Sequence, residues 1–399
     1  MASDNKKSEI KKETFITAGY FKFVFGIFGI VILAIFLRLF QLQVIEAEAN
    51  SKAATETRTV SYTTNPKRGT IYDRNGNVLA VSKDACTICA NPRQIENTTE
   101  AARKLAEILG GSASDYKDML SDESKSFVYV KRQVDEGYMD KINDAGIEGL
   151  YAIEDARREY PYGQVAGQIV GAVNIDGNGL CGIELYYEDI LHGSKGKTVE
   201  QRGQSGMPIP DGVVQSTSVV DGQDIMLSID IELQQKLEQV VVENKQTRGS
   251  ESANAILMHA GTGEILAAAS YPLFNPSDLT TAETGSTECK AISSTYEPGS
   301  VFKTVTATAI LENGTLTPDS EIYCPSSIQA DEYTVSDAHE RASQTFTFRQ
   351  IINRSSNVGM SLAAERMGFD KLYQKIGEYR FDQLTGIDFP GDSTGFFPD

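Results

Sequence analysis

The chain has 399 residues, 40% of them hydrophobic, which is enough for two or three domains with a sheltered core and excludes a disordered or fibrous protein. A net charge of −18 excludes a surface built for nucleic acid or anionic lipid, whose phosphates would repel it. Five cysteines, an odd number in a chain this long, exclude a disulfide scaffold.

The first predicted element runs from Phe21 to Phe40 and is apolar except for Lys22 and Arg38. At 1.5 Å per residue it spans roughly 30 Å, one bilayer core, once those two side chains reach the interfaces. A cleaved signal peptide is the competing reading. No small-x-small cleavage pattern follows Leu37, however, and Arg38-Leu39-Phe40-Gln41-Leu42 continues the helical pattern. Lys6, Lys7, Lys11 and Lys12 precede the stretch, so the positive-inside rule puts the N-terminus in the cytoplasm and everything beyond about residue 41 outside. Residues 1–20 then form a cytoplasmic tail and 21–40 a single transmembrane helix.

Gln43 to about Glu56 reads as a helical stalk. Beyond it, Asn75-Gly76 between two apolar runs predicts a hairpin. From there to Asp221, strands and short helices alternate with turns such as Tyr160-Pro161-Tyr162-Gly163 and Asp176-Gly177-Asn178-Gly179. Residues 41–221 are read as an α+β accessory domain without evident chemistry. Cys86-Thr-Ile-Cys89 is a CxxC by spelling, but it lies in a strand-like run where positions three apart point to opposite faces. His192, His259 and His339 lack ligand spacing to a cysteine or to each other, so no metal or cofactor is assigned.

A second domain is expected over 222–399. It opens with a strand from Ile225 to Asp230, where Asp230 caps a helix reaching Val242. Two strands follow, Ala255–Met258 and Glu264–Ala269, joined by a turn at His259–Gly263. A helix followed by an antiparallel pair implies a sheet covered by helices.

The chemistry-bearing segment is Tyr296-Glu297-Pro298-Gly299-Ser300-Val301-Phe302-Lys303. Pro298 before and Asn313-Gly314 after bracket a helix beginning around Ser300. Ser300 then sits at a helix N-terminus, which favours developing negative charge, and Lys303 lies one turn on upon the same face. The helix is apolar nearly all round, predicting burial, and burial disfavours the charged form of a lysine that is to act as a base. Ser-x-x-Lys also occurs at Ser3, Ser8, Ser114 and Ser194, but only Ser300 opens an apolar helix outside the membrane. An ordinary helix cap is the alternative role for Ser300.

The second segment is Asn353-Arg354-Ser355-Ser356-Asn357-Val358-Gly359-Met360, between helical runs from about Phe348 and through Met367. The hydroxyl of Ser355 suits a proton relay, and the Asn357 carboxamide suits holding a substrate amide by donor and acceptor together. A helix-capping Ser-Asn turn is the alternative.

Tyr-Glu-Pro-Gly-Ser300-Val-Phe-Lys303 and Ser355-Ser-Asn357-Val-Gly-Met resemble the first two active-site motifs of class B penicillin-binding proteins. The resemblance extends over nearly the whole chain: Arg68-Gly-Thr-Ile-Tyr-Asp73-Arg74-Asn-Gly, Arg158-Glu-Tyr-Pro161, Gly182-Ile-Glu184, Ile229-Asp230-x-x-Leu-Gln234, Thr262-Gly-Glu264-Ile-Leu-Ala and Gly386-Ile-Asp388-Phe-Pro-Gly391. It implies an α+β pedestal of the dimerisation type over 41–221 and a penicillin-binding transpeptidase domain from 222. The implied activity is peptidoglycan D,D-transpeptidation, with Ser300 as nucleophile, Lys303 as base, Ser355 as proton relay and Asn357 as substrate-binding residue. The implied partners are stem peptides ending in D-Ala-D-Ala, β-lactams and a membrane-embedded glycosyltransferase, at a bacterial cell membrane. The family's third motif, Lys-Thr-Gly, does not follow Asn357 in the 42 residues to Asp399. The expectation is therefore a chain lacking the C-terminal part of its catalytic domain and impaired in activity. A non-catalytic scaffold of the wall-synthesis complex and a β-lactam sensor or β-lactamase are the competing functions.

Overall fold

The structure is a computed structural model and describes residues 3–47, 59–202 and 208–396. The fold is α+β, and its contacts divide the chain into two compact units.

The first unit comprises Met1–Pro66 and Ser194–Val220. Its helix α1 (Ser3–Phe40) continues into a π-helical turn at Gln41–Ile45, and the apolar stretch Tyr20–Ile45 is long enough to cross a membrane. The expected stalk from Gln43 begins as this π-helical turn, and its part from 48 to 56 lies outside the described residues. The unit also holds an antiparallel sheet in the order β1 (Thr59–Thr64), β6 (Gly196–Arg202), β7 (Pro208–Thr217).

The second unit comprises Lys67–Gly193 and Asp221–Asp399. Its first layer is a sheet built on the long strand β3 (Val78–Ala90), which pairs with β2 (Ile71–Tyr72), β4 (Val128–Asp135) and β5 (Leu150–Glu159). The turn between β2 and β3 is the predicted hairpin. Gly76 has φ 85°, which an L side chain rarely adopts, and the Asp73 carboxylate accepts from the Asn75 and Asn77 amides. One sheet face buries Cys86, Ile88 and Ala90 against helices α2 (Thr98–Leu109), α3 (Ala113–Leu120) and α4 (Gly137–Asp144). Cys86 and Cys89 are buried free thiols on β3, whose register shifts twice between them.

The resemblance motifs of this region converge. Glu184, on the short helix α6 (Gly182–Tyr186), which follows α5 (Gly167–Val170) and precedes α7 (Glu188–Leu191), accepts from Arg68 Nε at 2.5 Å and from Arg158 Nε at 2.7 Å. The three side chains are 0–6% exposed, so one carboxylate is shared by two guanidiniums out of water and a second negative charge is needed to balance them. Arg68 also pairs with Glu188 at 2.7 Å.

The strand expected from Ile225 to Asp230 is shorter. β8 (Ile225–Met226) pairs in parallel with β2, itself only two residues long, and the chain then leaves the ladder to cap the next helix. That helix, α8 (Ile231–Arg248), is capped by Asp230, whose carboxylate accepts from the Glu232 and Leu233 amides. It extends past the expected Val242 to Gly249, which ends it in the left-handed conformation at φ 62°. α8 covers β10 (Ile265–Ser270), the antiparallel partner of β9 (Asn254–Met258), and the buried Gln234 side chain bonds the Ala268 amide and carbonyl on β10.

A separate apolar cluster supports the motif segments. Its elements are α10 (Lys303–Glu312), which follows a short helix at Lys290–Ser293 counted here as α9, with β11 (Glu321–Cys324), β14 (Gln344–Thr347), α11 (Phe348–Asn353) and α12 (Asn357–Met367). A hairpin of β12 (Ser327–Ala330) and β13 (Tyr333–Ser336) projects between β11 and β14 in the sequence.

Candidate active site

Pro298 and Gly299, the latter at φ 58°, turn the chain into a 3-10 helix at Gly299–Phe302, and the α-helix begins only at Lys303. The helix thus starts around Ser300 as expected, with a first turn that is 3-10 rather than α. In a 3-10 turn residues three apart eclipse, so Ser300 and Lys303 remain on one face. Phe302 packs on Phe381 with ring centroids 5.6 Å apart, anchoring the turn. The expected burial on every side is corrected. Thr306, Ala307, Ala309 and Ile310 are buried, while Val301 is 72% exposed. Apolar composition records the capacity for burial, and the neighbours decide how much of it is used.

The second motif occupies the corner between α11 and α12. Ser355 adopts φ 51°, a left-handed conformation that costs on the order of 1–3 kcal/mol in a non-glycine residue and persists only where its surroundings hold it. Ser356, 1% exposed, caps α12 by accepting from the Gly359 amide at 2.9 Å. A Cβ added at Gly359 would lie 2.7 Å from Ile351 Cγ1, so glycine permits the close approach of α12 to α11.

Across this corner Lys303 Nζ donates to the Ser355 carbonyl at 2.7 Å, to Asn357 Oδ1 at 2.5 Å and to Ser355 Oγ at 3.2 Å. Burial pushes the Lys303 amine below the ordinary lysine value, opposed by the nearby Asp337 carboxylate. Three of the four motif residues are thus joined in one hydrogen-bonded group. Ser300 is exposed, and its hydroxyl has no hydrogen-bond partner among the described residues.

Asp337, just past β13, belongs to neither sequence motif. Its carboxylate accepts from Ser356 Oγ at 2.9 and 3.0 Å, from the Val358 amide at 3.0 Å and from Arg341 Nε at 2.6 Å. Burial alone would raise this carboxyl, but the hydrogen bonds from Arg341, the Val358 amide and Ser356 outweigh it and hold it below the usual carboxylate range. The preceding carbonyl, of Ser336, accepts from Asn357 Nδ2 at 2.9 Å, which turns Asn357 Oδ1 toward the lysine. No local sequence pattern marks Asp337, because its motif partners lie about twenty positions further on.

An apolar cavity of about 770 Å³ elsewhere in the unit, lined in part by Ile169, Ile183, Tyr187 and Ile265, includes none of the four motif residues.

The family model for the penicillin-binding protein transpeptidase domain matches residues 253–399, and that for the penicillin-binding protein dimerisation domain matches 63–227. Penicillin-binding protein PbpB of Mycolicibacterium smegmatis is 31% identical over 392 residues, covering 91% of this chain and 60% of the relative. The probable peptidoglycan D,D-transpeptidase PbpC of Pseudomonas aeruginosa is 31% identical over 337 residues, covering 83% of this chain and 58% of the relative. The crystal structure of a peptidoglycan synthetase from Bifidobacterium adolescentis superposes with a TM-score of 0.66 at 29% identity, covering 86% of this chain and 67% of that one. The chain spans about 60% of the length of the curated relatives it matches.

Proposed function

Because the chain belongs to the class B penicillin-binding proteins, we propose that the protein is a peptidoglycan D,D-transpeptidase working through a serine acyl-enzyme at Ser300. The observation that carries this is the Lys303 amine, lowered by burial and held among Ser355 and Asn357 oxygens one 3-10 turn from an exposed serine.

In the first half-reaction Ser300 Oγ bonds to the carbonyl carbon of the penultimate D-alanine of a stem peptide, and its proton passes to Lys303. The amide C–N bond then breaks, and the departing D-alanine amine takes that proton back through Ser355. Asn357 orients the peptide by its carboxamide. In the second half-reaction the amine of a neighbouring stem attacks the ester, a new amide forms, and Ser300 Oγ leaves with the proton the amine gives up. A β-lactam enters the same first step and stays bonded to Ser300. The apolar helix α1 anchors the protein in the bacterial membrane. The lysines of the tail keep the N-terminus in the cytoplasm, so the site works outside. A membrane-embedded glycosyltransferase is the partner this chemistry calls for, because cross-linking consumes newly made glycan strands.

The test is to treat intact cells expressing the protein from its own gene with a fluorescent penicillin that does not cross the membrane. We expect a labelled band of this protein and none from the Ser300→Ala variant. A protein that reaches the membrane in normal amount yet takes no label, or a variant that labels like the parent, overturns the reading in favour of a scaffold.

A further inference from the structure

The second-motif corner is not held by its own helices alone. Ser355 takes the left-handed conformation of the turn that closes α11, its amide donating to the Ile352 carbonyl and the Ser356 amide to the Ile351 carbonyl, each at 3.0 Å, but those bonds leave the side chains and amides on its C-terminal side to be fixed from outside. Two consecutive residues, the last of β13 and the one after it, do so. The Ser336 carbonyl takes one side of the Asn357 carboxamide, and the Asp337 carboxylate takes the Ser356 hydroxyl and the Val358 amide. Val358 is the second residue of α12, so the carboxylate also places a negative charge on the free amides of that helix's first turn. Asp337 is itself fixed by Arg341, and both side chains are only 12–13% exposed.

We propose that Asp337 is a positioning residue of the acyl-transfer site: through Ser356 and the Val358 amide it holds Ser355 and Asn357 against the Lys303 amine. It touches no reacting atom. Its part is to keep three oxygens, the Ser355 carbonyl, Ser355 Oγ and Asn357 Oδ1, converged on one nitrogen, a geometry in which a displacement of about 1 Å costs on the order of 10²-fold in rate. The inference rests on the proposed transpeptidase reading for its rate effect, but not for its effect on the lysine.

Two separate measurements exploit that division. The first reads the reactivity of the Lys303 amine toward acetic anhydride as a function of pH, by mass spectrometry of the peptide that contains it, in the purified protein and its Asp337→Ala variant. The charged groups facing this locus are Lys303, Asp337 and Arg341, and Arg341 and Arg354 each stack on the Phe346 ring. If Asp337 acted only as a nearby charge, removing it would lower the midpoint of the lysine titration. If it positions the corner, its removal frees the amine into solvent and the midpoint rises toward that of free lysine. We expect the rise.

The second measurement is the rate of penicillin labelling, expected to fall on the order of 10²-fold in Asp337→Ala and to recover in part in Asp337→Glu, which restores the carboxylate. Should Asp337→Ala lack a cooperative melt, Ser356→Ala, which leaves the Asp337 charge in place, is expected to move both readouts the same way. A titration midpoint that falls, or is unchanged, together with a labelling rate within about twofold of the parent overturns the proposal. A parent protein that takes no label, while its Lys303 titration still rises on removal of Asp337, overturns the transpeptidase reading and leaves the positioning role standing.

Discussion

Lys303 Nζ lies among three oxygens, and the number of protons it carries decides what it can do with them. As an ammonium it has three N–H donors and no acceptor, and it can serve all three oxygens at once. As a free amine it keeps two N–H groups for the two oxygens that can only accept, the Ser355 carbonyl and Asn357 Oδ1. Its lone pair is then left for a proton offered by a hydroxyl. The surroundings therefore suit both states, as a group that takes and returns a proton requires. Because burial lowers the native value, the active free amine becomes more abundant as pH rises through a midpoint below the roughly 10.4 of free lysine. The penicillin acylation rate should accordingly rise with pH through that lowered midpoint and fall away below it. Lys303→Arg, which stays charged at any accessible pH, should abolish acylation throughout, measured as labelling rate against pH. A pH-independent rate would remove Lys303 from the role of base.

At the scale of elements, the site is the meeting of a 3-10 turn, a helix corner and the end of a hairpin. The corner depends on the contact of α12 with α11, where Gly359 faces the fully buried Ile351. Gly359→Ala should force the two helices apart and cost about 1–3 kcal/mol in denaturant unfolding, as overpacking of a filled core does. Since Ser355 and Asn357 flank the same corner, penicillin labelling should fall with it, and a variant as stable as the parent would show that the helices have room to spare. The Ser-x-Asn and Ser-x-x-Lys spellings are legible in the sequence, as are the helices on either side of them, because caps and apolar runs are local signals. The 3-10 start at Gly299 and the early end of β8 are not, since each is set by what the neighbouring segment leaves available.

At the scale of the molecule, one compact unit joins Lys67–Gly193 with Asp221–Asp399, and its contacts reach far along the chain. Arg68 and Glu184 stand 116 positions apart and form one of its buried links. Their ion pair, shared with Arg158, illustrates the cost of asymmetry in a buried cluster. Glu184→Ala leaves Arg68 with Glu188 alone and Arg158 out of water without an acidic partner among the described residues, and breaking such a pair costs about 3–5 kcal/mol. Urea unfolding of the purified variant should show a loss of that size, and a loss below about 1 kcal/mol would mean that water reaches the arginines once the carboxylate is gone.

The apolar N-terminal helix, the hairpin at Asn75-Gly76, the cap at Asp230 and the family are legible in the order of the residues, because each is written in neighbouring residues or in ordered short motifs. Packing sets which oxygens the Lys303 amine meets, which face of α10 stays open, and that the Asp337 carboxylate bonds the corner beside Ser355. Those facts depend on side chains brought within hydrogen-bonding distance from well-separated stretches of chain, and a distance of that kind is a property of packing that no local spacing records.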